Sequence, residues 1–210
     1  MALINGSRGK FFCLTIIGQI EGHNVLPPEN KTTKYEHLLP LLVNIQEDDS
    51  IDGVIIMLNT MGGDVEAGLA IAEMISGIKK PTVSLVIGGG HSIGIPLAVS
   101  SKYSFITPTA TMTLHPVRLS GTVISSPQTF CMLEKMQDRI NEFIVRNSKI
   151  SNDRLKELMM NTKMIATDVG TILSGDEAVK EGIIDSVGTI CDAINKLYEI
   201  KNADNQKPTE

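Results

Sequence analysis

Tryptophan is missing from this 210-residue chain, aromatic residues supply only 4% of it, and there are just three cysteines and four histidines. Each shortage excludes something. Cys13, Cys131 and Cys191 are odd in number, far apart and set among apolar neighbours, so they form neither a disulfide framework nor a Cys-x-x-Cys motif. They are expected to be reduced thiols of the core. No cluster of Lys and Arg interleaved with aromatics exists and the net charge is -5, which argues against nucleic acid as a partner. Apolar runs such as Gly53–Leu58 are far shorter than the roughly 20 residues that cross a bilayer. The N-terminus carries no basic stretch followed by an apolar signal core. A cytoplasmic protein without membrane insertion is expected.

What is present is ordinary globular material. Apolar residues make up 42% and charged residues 20%, and no change of composition divides the chain. One domain over residues 1–200 is expected, with the polar segment 201–210 as a disordered tail. Short β-branched runs alternate with helical patterns, the signature of an α/β protein with parallel strands. Strands are predicted at Phe12–Ile17, Gly53–Leu58, Thr82–Ile87, Ser104–Ile106 and Met112–Leu114. Several are apolar on both faces, as strands covered on both sides are.

Between them, Asp64 caps a helix that ends near Gly77, and Ser126 with Pro127 opens a long one. On the long helix Phe130, Leu133, Met136, Ile140, Phe143 and Ile144 recur at spacings of three and four, a stripe that reads as packing. Residues 22–33 read as an exposed loop. Thr33 to Glu36 then form a candidate capping box, with Pro40 expected to kink or delay the helix.

The chemistry concentrates at Gly90-His91-Ser92-Ile93-Gly94. Gly88, Gly89 and Gly90 are expected to end the strand before it, and Ser92–Ser100 to form the next helix, so Ser92 falls on a strand-to-helix turn. Such a turn exposes a hydroxyl beside outward-pointing backbone N–H groups. A plain serine cap would look the same. A nucleophilic serine needs a base within hydrogen-bond reach. His91 is adjacent to Ser92 and its side chain should diverge, while His23 and His37 belong to a loop and a helix start. His115 leaves the end of a strand, where clefts of open α/β sheets form, and Pro116 biases it to extended backbone. A histidine that merely ends a strand is the competing reading. The Gly-x-Ser-x-Gly pattern also invites an α/β-hydrolase assignment, but no histidine follows His115 and residues 93–114 contain no Asp or Glu. Any acid must therefore follow the histidine.

With that order in place, residues 10–199 resemble the proteolytic subunit of Clp protease. The matching pieces are Gly18-Gln19-Ile20, Leu58 to Gly63 with Ala67-Gly68, His91-Ser92-Ile93-Gly94, Met112 to Pro116, and Leu173 to Val179 leading to Gly182-Ile183-Ile184-Asp185. Gly88 to Pro96 and Leu114 to Arg118 look closer still to the translocation-enhancing branch of that family. The resemblance implies the ClpP/crotonase fold of repeated strand-strand-helix units. It also implies a serine endopeptidase acting on unfolded polypeptides inside a homo-oligomer of heptameric rings stacked in pairs, with a link to protein export or quality control. Carried over by position, Ser92 is the nucleophile, His115 the base, and the N–H groups of Gly62 and Ile93 the oxyanion donors. Gly121, Thr122 and Val123 belong to an edge that binds substrate. Gly170 stands at the family's usual aspartate position, which leaves Asp168, two residues earlier, as the acid. Asp176 reads as a helix cap and Asp185 as part of a turn. No metal or cofactor is implied, and docking of an ATP-dependent unfoldase stays open. Two other classes compete: a Clp-like ring protein with weakened catalysis that acts by binding, and a crotonase-type acyl-CoA enzyme.

Overall fold

The computed structural model describes residues 1–119, 121, 124, 126–163 and 169–204. Its strands are β1 (Ala2–Gly6), β2 (Gly9–Glu21), β3 (Thr32–Lys34), β4 (Gly53–Gly63), β5 (Thr82–Gly90), β6 (Tyr103–Ile106), β7 (Thr111–Leu114), β8 (Thr171–Ser174) and β9 (Ser186–Val187). Between and after them run α1 (Tyr35–Glu47), α2 (Val65–Ser76), α3 (Gly94–Val99), α4 (Pro127–Arg146), α5 (Asn152–Met159), α6 (Gly175–Lys180) and α7 (Ile190–Asp204). The main sheet has the order β1-β2-β4-β5-β6-β9, parallel from β2 onward, with β3 beside β2. A small second ladder joins β7 to the end of β5 and pairs it antiparallel with β8. This is the α/β class with a largely parallel sheet that the alternation of strand and helix patterns predicts.

Alternation of side chains along the strands divides the core between the two faces of the sheet. Leu14, Ile16, Val54, Ile56, Leu58 and Val86 pack under α1, α2 and α3, whereas Phe11, Ile55, Val83 and Leu85 face Leu197 and Tyr198 of α7. That is why these strands read as continuous apolar runs. Asp64 and Ser126 cap their helices as predicted, accepting from the N–H of Ala67 and Thr129.

Several expectations need correction. β5 continues through Gly90 instead of stopping at Ile87, because Gly89 donates to Asn59 Oδ1 at 2.9 Å and Gly90 still pairs with Thr60. Gly88 and Gly89 make room for the side chains of Asn59 and His91, and the glycines do not end the strand. α3 begins at Gly94, two residues after Ser92. Thr33 belongs to β3, its hydroxyl bonded to both the N–H and the carbonyl of Ile17, so α1 has no side-chain cap. α1 also runs through the exposed Pro40. Ser174, not Asp176, caps α6, in a capping box with Glu177. Only Cys13 is a core thiol; Cys131 and Cys191 are exposed on the outer faces of α4 and α7, where apolar sequence neighbours do not share their direction.

α4 is buried only at Ile140, Asn141, Phe143 and Ile144, while Phe130 toward its start is 65% exposed. Arg139 ties it to α2 through two bonds to Glu66, at 2.6 and 2.9 Å. Those bonds hold the Glu66 carboxyl below its ordinary range, against the opposing effect of its partial burial. A depressed carboxylate stabilises the fold fully above its unfolded value of about 4.3 and loses that contribution as the pH falls through the folded value. Thermal unfolding measured from pH 6 to pH 3 should show this acid-side loss shrinking in Arg139→Ala, by less than about 1 kcal/mol because both groups are half exposed.

Candidate active site

Ser92 sits in the turn between β5 and α3 with φ of 56°, and no other described residue apart from glycine has a left-handed φ. A side chain in that region costs about 1–2 kcal/mol and survives only where its surroundings impose it. Three backbone bonds do so here: His91 N–H donates to the Thr60 carbonyl at 3.1 Å, Ser92 N–H to that of Thr113 at 2.9 Å, and Gly94 N–H to that of His91 at 2.8 Å. The turn is thus stitched to β4 on one side and to β7 on the other.

β7 delivers His115 one residue beyond its end, and Pro116 turns the chain there. His115 Nδ1 lies 2.7 Å from the Pro116 carbonyl. A carbonyl only accepts, so Nδ1 carries the proton and Nε2 is left as the basic nitrogen. The following residue is held by Gln137 of α4, whose Oε1 accepts from Val117 N–H at 2.8 Å. Sequence reading passed over Gln137, though it is a polar residue on the apolar face shared by Leu133 and Ile140.

Ser92 and His115 open into the same cavity, of about 230 Å³, lined also by Gly63, Val65, Ile93, Ile140 and Met159 among others. Its walls are mostly apolar. No hydrogen bond joins Ser92 Oγ to His115 among the described residues; such bonds are often long before substrate binds. A larger groove of about 860 Å³ along α4 is lined by Cys131, Lys135 and Arg139 but by no serine or histidine, so size does not decide between them.

Ile93 is buried, its side chain against Gly68, where any Cβ would collide with it. That contact accounts for the Ala67-Gly68 pair. Its N–H has no backbone acceptor among the described residues. Gly62 approaches Ser92 closely: a Cβ built on it would stand 2.7 Å from that of Ser92. Its N–H, however, donates to Thr60 Oγ1 at 3.1 Å, and that hydroxyl in turn donates to the Gly18 carbonyl of β2 at 2.6 Å. Asp64 N–H also turns to β2, donating to the Ile20 carbonyl. Gly63, between them, lines the cavity. The N–H expected at Gly62 to receive an oxyanion is thus engaged by the Thr60 hydroxyl in this structure.

Asp168 lies outside the described residues. Two positions later, Gly170 packs on the backbone and Cβ of His115. Of the residues expected to bind substrate, Thr122 and Val123 are outside the described set, and Gly121 is exposed with open space around it. Among the described residues no group of His, Cys, Asp and Glu could hold a metal ion, and no helix is long and apolar enough to cross a membrane.

Residues 9–190 match the family model described as Clp protease. The chain belongs to the Clp protease family. The translocation-enhancing protein TepA of Halalkalibacterium halodurans is 56% identical to it over 193 residues, 92% of this chain and 75% of the relative. An ATP-dependent Clp protease proteolytic subunit from Leuconostoc citreum is 27% identical, over 70% of this chain and 73% of its own length. Among solved structures, a point mutant of ClpP1 from Listeria monocytogenes superposes with a TM-score of 0.68 at 22% identity, covering 87% of this chain and 94% of that one. At that identity the likeness speaks for the fold of this Clp family chain.

Proposed function

We propose that this Clp family protein is a serine endopeptidase. The observation that carries the reading is the convergence of a strained serine and a strand-end histidine on one apolar-walled cavity. In the proposed reaction Ser92 Oγ attacks a peptide carbonyl while His115 Nε2 takes its proton and passes it to the leaving amine. Water, deprotonated by the same imidazole, then resolves the acyl-enzyme. The N–H of Ile93 supports the oxyanion. Its companion was expected at Gly62, whose N–H is engaged by the Thr60 hydroxyl, and the adjoining Gly63, which lines the cavity, is the alternative donor.

Asp168 is proposed to orient His115, a task the Pro116 carbonyl already performs in part. The edge containing Gly121, Thr122 and Val123 is proposed to hold an extended polypeptide by main-chain bonds. Assembly into rings in the cytoplasm is supported by family membership, and the ring by the start of α4, where Phe130 and Met132 are 65% and 47% exposed. The name of the H. halodurans relative suggests a link to protein export. A ring protein that acts by binding, with weakened catalysis, is favoured by one observation: Gly170 carries no carboxylate where it meets His115.

Fluorophosphonate labelling with mass mapping, run beside light scattering, separates these readings. A single adduct on the Ser92 peptide and a mass several times that of one chain are expected. An assembled but unlabelled protein would select the binding reading, and a stable monomer would sink the ring.

A further inference from the structure

His91 does not line the cavity that Ser92 and His115 share. Its Nδ1 lies 2.9 Å from Thr113 Oγ1, and the same Thr113 offers its carbonyl to Ser92 N–H at 2.9 Å. Two residues further on, just past the end of that strand, stands His115. One threonine thus touches the residue before the nucleophile, the nucleophile's own backbone, and the strand that carries the base. We propose that His91 is a positioning residue for the Ser92 reaction, its ring bonded to Thr113 so that the strained turn is held in register with His115.

Backbone bonds alone leave the turn one side-chain anchor short. A left-handed serine can relax by rotating its peptide planes, which would carry Oγ away from the base. The His91 side chain opposes that rotation because its ring is wedged between Thr113 and Gly89, where a Cβ would stand 2.6 Å from Nε2. Burial lowers the affinity of this ring for a proton, which keeps it neutral and able to share one hydrogen with the Thr113 hydroxyl in either direction. His115 lines the cavity with Ser92 and His91 does not, so the two histidines have separate tasks.

The inference rests on the serine endopeptidase reading, and its test separates the two. Wild type, His91→Ala, His91→Asn and Thr113→Val are compared by fluorophosphonate labelling rate and by kcat and KM on a fluorogenic peptide, with thermal unfolding as a check on folding. His91→Ala should lower kcat and the labelling rate by about 10- to 100-fold while KM stays within about twofold, since a displacement below 1 Å acts on the reacting geometry and not on the peptide site. Asparagine places an amide near the position of Nδ1 and should restore most of the rate. Thr113→Val keeps the backbone bond to Ser92 and should fall as His91→Ala does, with the double variant falling no further. Wild-type labelling together with unchanged kcat in His91→Ala, or an asparagine variant as slow as alanine, overturns the positioning role alone. If His91→Ala does not fold, the comparison of Thr113→Val with wild type decides the matter by the same criterion. Absence of labelling in wild type overturns the serine reading and this role with it.

Discussion

Ser92→Ala should abolish fluorophosphonate labelling and lower peptide hydrolysis by roughly 10⁴-fold or more, the scale on which a serine hydrolase loses activity with its nucleophile. The fold should stay intact, because the three backbone bonds that hold the turn do not involve the hydroxyl. A companion substitution makes the prediction sharper. Alanine keeps the cost of a left-handed φ at this position, whereas glycine removes it. Ser92→Gly should therefore be as inactive as Ser92→Ala but more stable than wild type by about 1 kcal/mol in a denaturant titration. Activity lost with stability gained would mean that the fold holds a strained serine for chemistry. A Ser92→Gly protein no more stable than wild type would instead mark the turn as an ordinary cap, and unchanged hydrolysis in Ser92→Ala would remove Ser92 from the mechanism.

The second large effect is expected at Gly170. Its φ of 140° suits glycine, and a Cβ there would collide with the Leu114 carbonyl oxygen and crowd His115. The colliding partner is backbone, so it cannot swing aside. Gly170→Ala should separate the start of β8 from the end of β7, displace His115, and lower kcat by about 100-fold. It should also cost several kcal/mol of stability, as overpacking against rigid backbone does, typically about 1–3 kcal/mol and sometimes more. Gly121→Ala is the control, with a left-handed φ of 108° but nothing within 4 Å of its Cβ. In thermal unfolding it should show only the torsional cost, about 1 kcal/mol. Equal losses of stability at the two sites would mean that backbone torsion, and not contact with His115, makes Gly170 necessary.

Much of the fold is legible because it follows from neighbours in sequence. Asp64 and Ser126 are recognisable as caps from residue type and the apolar pattern after them, and a cap acts within one turn. Gly88 to Gly90 mislead for the opposite reason. Three glycines look like a break, but the smallness of Gly88 answers to Asn59, which arrives from β4, and that of Gly89 to the ring of His91 two residues on. α4 shows the same limit. Its apolar stripe predicts packing along the whole helix, yet periodicity records which side chains share a face and not how far the partner extends, so Phe130 is left exposed. Cys131 and Cys191 mislead on the same principle, since apolar neighbours in sequence point elsewhere on a helix.

By itself the sequence determined the α/β class, the family, and the candidate pairing of Ser92 with His115, because there are few histidines to choose from and no carboxylate between the two residues. Only the tertiary structure decided how that pair is held. The left-handed φ of Ser92, the Thr60 hydroxyl that occupies Gly62, the bond from His91 to Thr113 and the packing of Gly170 on His115 all join β4, β5, β7 and β8. Contacts of that kind are set by where strands distant in sequence come to lie side by side, and no local pattern of residues encodes their direction.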